Sequence, residues 1–170
     1  MRWERHLEHW IVEHRVGWLD WLFIALSWIG RFGAVWVAIA LVLALTWRRP
    51  AILLMTVAAD LAADLLSDVG KALVPRHRPF EHQIGPPSAT HSFPSGHAAT
   101  SFACATVLSH YAPRLRVPLF ALATLIAFSR VYNGMHYPTD VLAGALLGVL
   151  TALLLLAAVR RRSRRAPRSG

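Results

Sequence analysis

Val141-Leu-Ala-Gly144-Ala-Leu-Leu-Gly148-Val-Leu-Thr151-Ala-Leu-Leu-Leu-Leu-Ala-Ala-Val159 carries no charge, and Arg160-Arg161-Arg162-Ser163-Arg164-Arg165 follows it directly. A helix needs about 20 largely apolar residues to cross the hydrocarbon of a bilayer. Arginines set against the end of such a run mark the cytoplasmic side of a membrane protein. Working back from this segment, four more stretches read as spans: 32–47, 51–69, 98–111 (extended by the turn before it) and 117–128. Composition agrees, with 55% of the 170 residues hydrophobic and 16% charged, against about 25% charged in soluble domains. The fold class expected is all-α, an integral membrane helical bundle of about five transmembrane helices.

The connections carry much of the remaining positive charge. Arg48 and Arg49 separate the first two spans, Arg114 and Arg116 the third and fourth, and the arginine tail follows the fifth. With an odd number of spans these places fall on one side, which is then cytoplasmic. The N-terminus, the 70–97 loop and the 129–140 turn fall on the other. The net charge of +9 thus reports topology. No stacking aromatics interleave with the basic tail, so no nucleic-acid partner is expected. Residues 1–160 read as a single domain and 161–170 as a basic, disordered cytoplasmic tail. Near the N-terminus, Trp3, Leu7, Trp10 and Ile11 recur at helical spacing among charges, and Trp18, Trp21 and Leu22 continue the pattern. That suits an amphipathic helix in the membrane interface; residues 21–29 join the first span instead if Arg31 is buried or snorkels. Glu4, Glu8 and Glu13 make this stretch too charged for a cleaved signal peptide. Cys104 is the only cysteine; it excludes an intrachain disulfide and reads as inert packing.

The two outer segments hold nearly all the reactive side chains. In the first, Lys71 closes a helix and Arg76-His77-Arg78-Pro79 follows. Three permanent cations there form an anion site, since the planar arginine fork donates two parallel bonds to phosphate. A basic cluster snorkelling to headgroups explains the same residues equally well. Next comes Phe93-Pro94-Ser95-Gly96-His97. Ser95 is a good N-cap, Gly96 admits a ligand close to the backbone, and the first helical amides can hold an anion. His97 can donate a proton to a leaving oxygen; the plain alternative is an ordinary capped helix. The last segment, Ser129 to Asp140, contains Arg130, His136 and Pro138. Pro138 fits the first position of the final helix, and Asp140 lies in its first turn, where the macrodipole favours a carboxylate. A carboxylate four residues after His136 can accept from one ring nitrogen and leave the other free to attack. The alternative is a capping Asp beside a surface histidine.

Taken together, Lys71 with Arg78-Pro79, Pro94-Ser95-Gly96-His97, and Ser129-Arg130 with His136 and Asp140 resemble, in order and spacing, the three signature blocks of the type 2 phosphatidic acid phosphatase family. The resemblance implies that His136 is a nucleophile forming a phosphohistidine, that Asp140 orients it, and that His97 protonates the departing alcohol and then activates water. It implies that Lys71, Arg78, Ser95, Gly96 and Arg130 hold the phosphoryl oxygens. Phosphoryl transfer mainly needs alignment and charge neutralisation, which fixed cations and helix-end amides supply without a metal or other cofactor. The implied substrate is a lipid phosphate, such as a polyprenyl diphosphate, phosphatidic acid or phosphatidylglycerol phosphate, and the partners are membrane lipids. The implied location is a bacterial inner membrane with the site facing the periplasm or cell exterior. Two alternatives belong to other classes: a lipid-phosphate binding or transport protein that keeps the pocket without turnover, and a haloperoxidase, since vanadate-binding haloperoxidases share these blocks.

Several features fall outside the blocks. Asp60, Asp64 and Asp68 share one face of the second span, as a proton path or cation site, or as structural partners for Arg31, a histidine or the backbone; Asp68 is placed to orient Lys71. Gly144 and Gly148 suit close packing inside the bundle. Tyr132, Asn133 and Tyr137 suit either the headgroup pocket or interfacial packing. His77, His82 and His91 lack the spacing of a zinc set and read as solvent-facing.

Overall fold

A computed structural model describes residues 2–30, 33–79, 83–85 and 90–165, and every regular element among them is helical. The elements are α1 (Arg2–Glu13), α2 (Gly17–Ile29), α3 (Ala34–Thr46), α4 (Pro50–Leu73), α5 (Gly96–Tyr111), α6 (Arg116–Tyr132) and α7 (Pro138–Arg165); α6 is entered through a 3-10 turn at Pro113–Leu115.

The centre is α5. Its sequence, Gly-His-Ala-Ala-Thr-Ser-Phe-Ala-Cys-Ala-Thr, is dominated by small side chains, which lets α4, α6 and α7 close around it. Nearly every residue from Ala98 to Ser109 is buried. Gly144 and Gly148 put the closest approach on α7: a Cβ at Gly144 would run into the Ser95 carbonyl, and one at Gly148 into the Ala99 carbonyl. The glycine pair therefore serves packing inside the bundle. The other face of α7 presents Leu142, Leu146, Leu150 and Leu154 outward, as a helix bordering lipid should.

Among the described residues two segments are long and apolar enough to cross a membrane, Pro113–Tyr132 and Pro138–Arg162; α2 and α3, bent by 63°, make a third if counted as one span. The other two expected spans, α4 and α5, depart from that pattern for physical reasons. With 24 residues, α4 extends about 36 Å at 1.5 Å per residue, but it carries Asp60, Asp64, Asp68 and Lys71. The 16-residue α5 is walled in by other helices, so its outer surface need not match lipid.

The N-terminal region is two helices. In α1 the usual polarity is reversed: Glu4, Glu8 and Val12 face the protein, while Trp3, Leu7 and Trp10 are exposed. An apolar face turned away from the bundle is what the membrane interface accepts, in line with the amphipathic reading of this region. Next, α2 packs across the end of α6, with Phe23 edge-on to Phe128 and tilted against Tyr132. At the far terminus α7 stays helical through Arg165, and residues 166–170 of the expected tail lie outside the described residues. Arginine is a good helix former and suits the negative end of the macrodipole.

Gly148→Ala should destabilise the bundle by about 1–3 kcal/mol, the usual cost of overpacking a filled contact. Leu154→Ala, on the outward face, should leave the unfolding temperature in detergent nearly unchanged. Equal effects of the two would contradict this packing.

Candidate active site

Three chain segments converge at one end of the bundle. Lys71 stands in the last turn of α4, where Asp68 Oδ1 accepts from its Nζ at 2.8 Å, as the spacing of the two suggested. Ser95 occupies the N-cap of α5, yet its hydroxyl makes no cap bond and is buried with no hydrogen-bond partner among the described residues. Its N–H donates to the Asp140 carbonyl at 3.0 Å, which pins the start of α5 to the start of α7. The chain leaves α6 through Gly134 in the left-handed region (φ 67), a usual helix stop, and the Met135 and His136 amides fold back onto the Arg130 carbonyl at 2.9 and 3.1 Å.

Lys71, Arg78, Gly96, His97, Arg130 and His136 all line one cavity of about 210 Å³. Ser95 and Asp140 are fully buried beside it. The eight residues expected to form the site are thus brought together. His136 is 2% exposed. Its Nδ1 lies 2.7 Å from the Ser92 carbonyl and its Nε2 lies 2.9 Å from Arg78 Nη1. A carbonyl only accepts and a guanidinium only donates. The proton therefore sits on Nδ1, and Nε2 keeps a lone pair turned to the cations. Asp140 Oδ2 is 3.7 Å from Nδ1, beyond hydrogen-bond range. The bond expected from Asp140 is made by Ser92 instead, and Asp140 acts on the ring through its charge. Burial pushes the His136 imidazole down to about 4, with Asp140 opposing and Arg78 and Arg130 reinforcing the shift.

The carboxylate of Asp140 is occupied elsewhere. Oδ1 accepts from Arg76 Nη1 at 2.7 Å, and Oδ2 accepts from the Tyr137 amide at 2.9 Å, the return half of a capping box. The same guanidinium donates from Nη2 to Glu4 Oε1 at 2.5 Å and from Nη1 to Thr139 Oγ1 at 2.8 Å, and the Thr139 hydroxyl donates to Glu4 Oε2. The Arg76 guanidinium also lies over the Tyr137 ring at 4.3 Å. Glu4 is 2% exposed, so α1 delivers a carboxylate directly behind the proposed catalytic pair. Nothing local in the sequence marks Glu4 as a site residue, and Arg76 reads there as one of three cations.

Other side chains complete the walls. Arg78 is held by the Thr90, His91 and Met135 carbonyls at 2.7, 3.2 and 2.8 Å. Ser27 of α2 meets two expected residues at once: its hydroxyl accepts from Arg130 Nη1, and its carbonyl lies 3.2 Å from His97 Nε2. Asp60 and Asp64 line the same cavity. Arg31, an expected partner, lies outside the described residues; Asp60 instead accepts from the Cys104 thiol at 3.7 Å and sits against Gly33 at the start of α3, where the helix dipole favours it. A Cβ on Gly33 (φ +64) would overlap that carboxylate. Tyr132 and Asn133 tie α2 down, through Asp20 Oδ1 at 2.8 Å and the Phe23 carbonyl at 3.2 Å. His77 and His91 are exposed, and His82 lies outside the described residues.

These blocks and this bundle match known proteins. Residues 49–164 fit the model of the PAP2 superfamily. An undecaprenyl-diphosphatase of Sulfolobus acidocaldarius is 33% identical over 79% of this chain and 68% of its own length. A decaprenylphosphoryl-5-phosphoribose phosphatase of Mycolicibacterium smegmatis is 38% identical over 71% of this chain and 68% of its own. The crystal structure of a transmembrane PAP2 type phosphatidylglycerolphosphate phosphatase from Bacillus subtilis superposes with a TM-score of 0.77 at 25% identity, covering 98% of this chain and 87% of that one. The chain belongs to the PAP2 superfamily and, through named relatives that are phosphatases, to the class of hydrolases acting on phosphoric monoesters or lipid diphosphates.

Arg76→Gln would leave Glu4 and Asp140 as neighbouring buried carboxylates without their cation, a loss expected to cost about 3–5 kcal/mol; thermal unfolding in detergent reads it. His136 gives a pH signature as well. Its imidazole titrates near 4 in the fold and near 6.5 in an unfolded chain. Between these values the unfolded chain binds the extra proton, so the stabilising contribution is present above about 6.5 and lost on acidification towards 4. His136→Gln should flatten the stability curve over that window, and a slope identical to wild type would rule out a neutral buried imidazole.

Proposed function

We propose that the protein is a metal-independent membrane lipid phosphatase that works through a phosphohistidine at His136. The observation that carries the reading is the Nδ1–H bond from His136 to the Ser92 carbonyl at 2.7 Å, which leaves the Nε2 lone pair facing Arg78 and the cavity shared with Lys71, Arg130 and His97. Nε2 attacks phosphorus and the bond from phosphorus to the lipid oxygen breaks. Lys71, Arg78 and Arg130, with the α5 N-terminal amides and the Ser95 hydroxyl, neutralise the equatorial oxygens. Once phosphorylated, the ring carries a positive charge, and Asp140 at 3.7 Å stabilises it. His97 donates its Nε2–H to the Ser27 carbonyl; it takes up a second proton at Nδ1 from the incoming phosphate and gives that proton to the departing oxygen. It then takes one from the water that attacks phosphorus, and Nε2 leaves with its lone pair restored.

The substrate class we favour is a lipid phosphate or diphosphate, of the kind named for the relatives: a polyprenyl diphosphate, phosphatidic acid or phosphatidylglycerol phosphate. In this reading five helical crossings place the cavity on the periplasmic or outer side of a bacterial inner membrane and the arginine-rich C-terminus in the cytoplasm, as the distribution of arginines supports. The headgroup reaches the cavity while the tail stays in lipid.

Purified protein with EDTA should release phosphate from a diacylglycerol phosphate or a prenyl diphosphate, and His136→Ala should abolish it. His97→Ala, given a substrate with a good leaving group, should accumulate an acid-labile phosphoprotein. Release that survives His136→Ala would remove His136 as nucleophile. No release by a wild type that still binds vanadate would favour a binding or transport protein.

A further inference from the structure

At the end of the bundle opposite the catalytic cavity lies a groove of about 740 Å³, bounded by the C-terminal parts of α5 and α7 and the start of α6. Phe120, Leu153 and Leu156 give it an apolar wall, and Arg116, Arg160 and Arg161 line it as well. Arg160 is held there by donating to His110 Nδ1 at 3.2 Å. No carboxylate lines the groove among the described residues. The sequence has no aspartate or glutamate between Asp20 and Asp60 or after Asp140, so acidic side chains are missing from this whole end. The groove is remote from the reaction: along α5 (Gly96–Tyr111) its lining runs from Thr106 to His110, about 14–20 Å from His97 at the helical rise.

Snorkelling to an interface accounts for scattered arginines, but not for three arginines sharing a groove with an apolar wall. We propose that the groove binds one anionic phospholipid, with its phosphate among Arg116, Arg160 and Arg161 and one acyl chain along Phe120, Leu153 and Leu156. The guanidinium fork fits phosphate oxygens, and basic pockets between membrane helices take anionic headgroups. A zwitterionic lipid brings its own cation into the arginine cluster, and inorganic phosphate leaves the apolar wall uncovered. The site serves binding alone and is independent of the proposed reaction.

The test uses the full chain in neutral detergent, its thermal unfolding followed with added phosphatidylglycerol, phosphatidylcholine or inorganic phosphate. Phosphatidylglycerol should raise the unfolding temperature and the other two should not. Arg116→Gln with Arg160→Gln should lose the shift, and the pair Arg116→Lys with Arg160→Lys should keep most of it. Lys71→Gln, which alters the catalytic cavity, should keep it fully. Both groove arginines are exposed, and Arg116→Gln alone should weaken phosphatidylglycerol binding about fivefold by native mass spectrometry, the effect of one arginine near a lipid phosphate. Equal shifts from phosphatidylcholine or from inorganic phosphate would overturn the proposal. A shift kept by the double glutamine variant but lost in Lys71→Gln would place the lipid in the catalytic cavity instead. Turnover enters none of these readouts, so they stand whether or not the phosphatase mechanism does.

Discussion

One guanidinium holds the proposed catalytic end together. Arg76 bonds to Glu4 from α1 and to Thr139 and Asp140 from α7, while its own carbonyl accepts from the Ser92 amide at 2.9 Å. The Ser92 carbonyl in turn accepts the hydrogen bond from His136 Nδ1–H. The tautomer of the proposed nucleophile is thus set by a short chain of bonds that begins at the N-terminal helix α1. Charges this deep are tolerable because each is paired and further bonded; the same pairing makes the loss of any one partner costly. Asp140, engaged on both oxygens, is held rigid and contributes field rather than a hydrogen bond to the ring.

The cavity carries both signs of charge: Lys71, Arg78 and Arg130 line it with His136, and Asp60 and Asp64 line it from α4. An anion in such a cavity is drawn to the cations and away from the carboxylates. From α2, Ser27 closes a side of this arrangement by contacting both Arg130 and His97, so a helix outside the PAP2 match at residues 49–164 still supplies part of the wall.

The legible part of the site was the part built from local spacing. Pro138 and Asp140 in one helical turn, Lys71 after Asp68, and Ser95 before a helix each announce their geometry through short-range rules of capping and periodicity. The long-range partners were not legible. Glu4 and Arg76 are separated by 72 residues, and nothing local distinguishes Glu4 from the exposed Glu13 of the same helix. The Ser92 carbonyl is a backbone group and has no sequence signature at all, so Asp140 was the natural candidate for its bond. Hydropathy found α7 and α6 because they border lipid. It is a weaker guide to α5, whose surroundings are largely protein, and to α4, whose apolar outer face is interrupted by Asp60, Asp64, Asp68 and Lys71.

That enclosure of α5 has a mechanical consequence. A helix bordering lipid responds to bilayer thickness by tilting or by snorkelling its ends. His97 stands on a helix that meets the bilayer only through its neighbours, fixed to α7 by glycine contacts at Gly144 and Gly148 and by the Ser95–Asp140 backbone bond. Variation in membrane thickness therefore falls first on the outward leucine faces of α4 and α7, and α5 follows α7 as a unit. His97 and His136 keep their spacing because the two helices that set it move together.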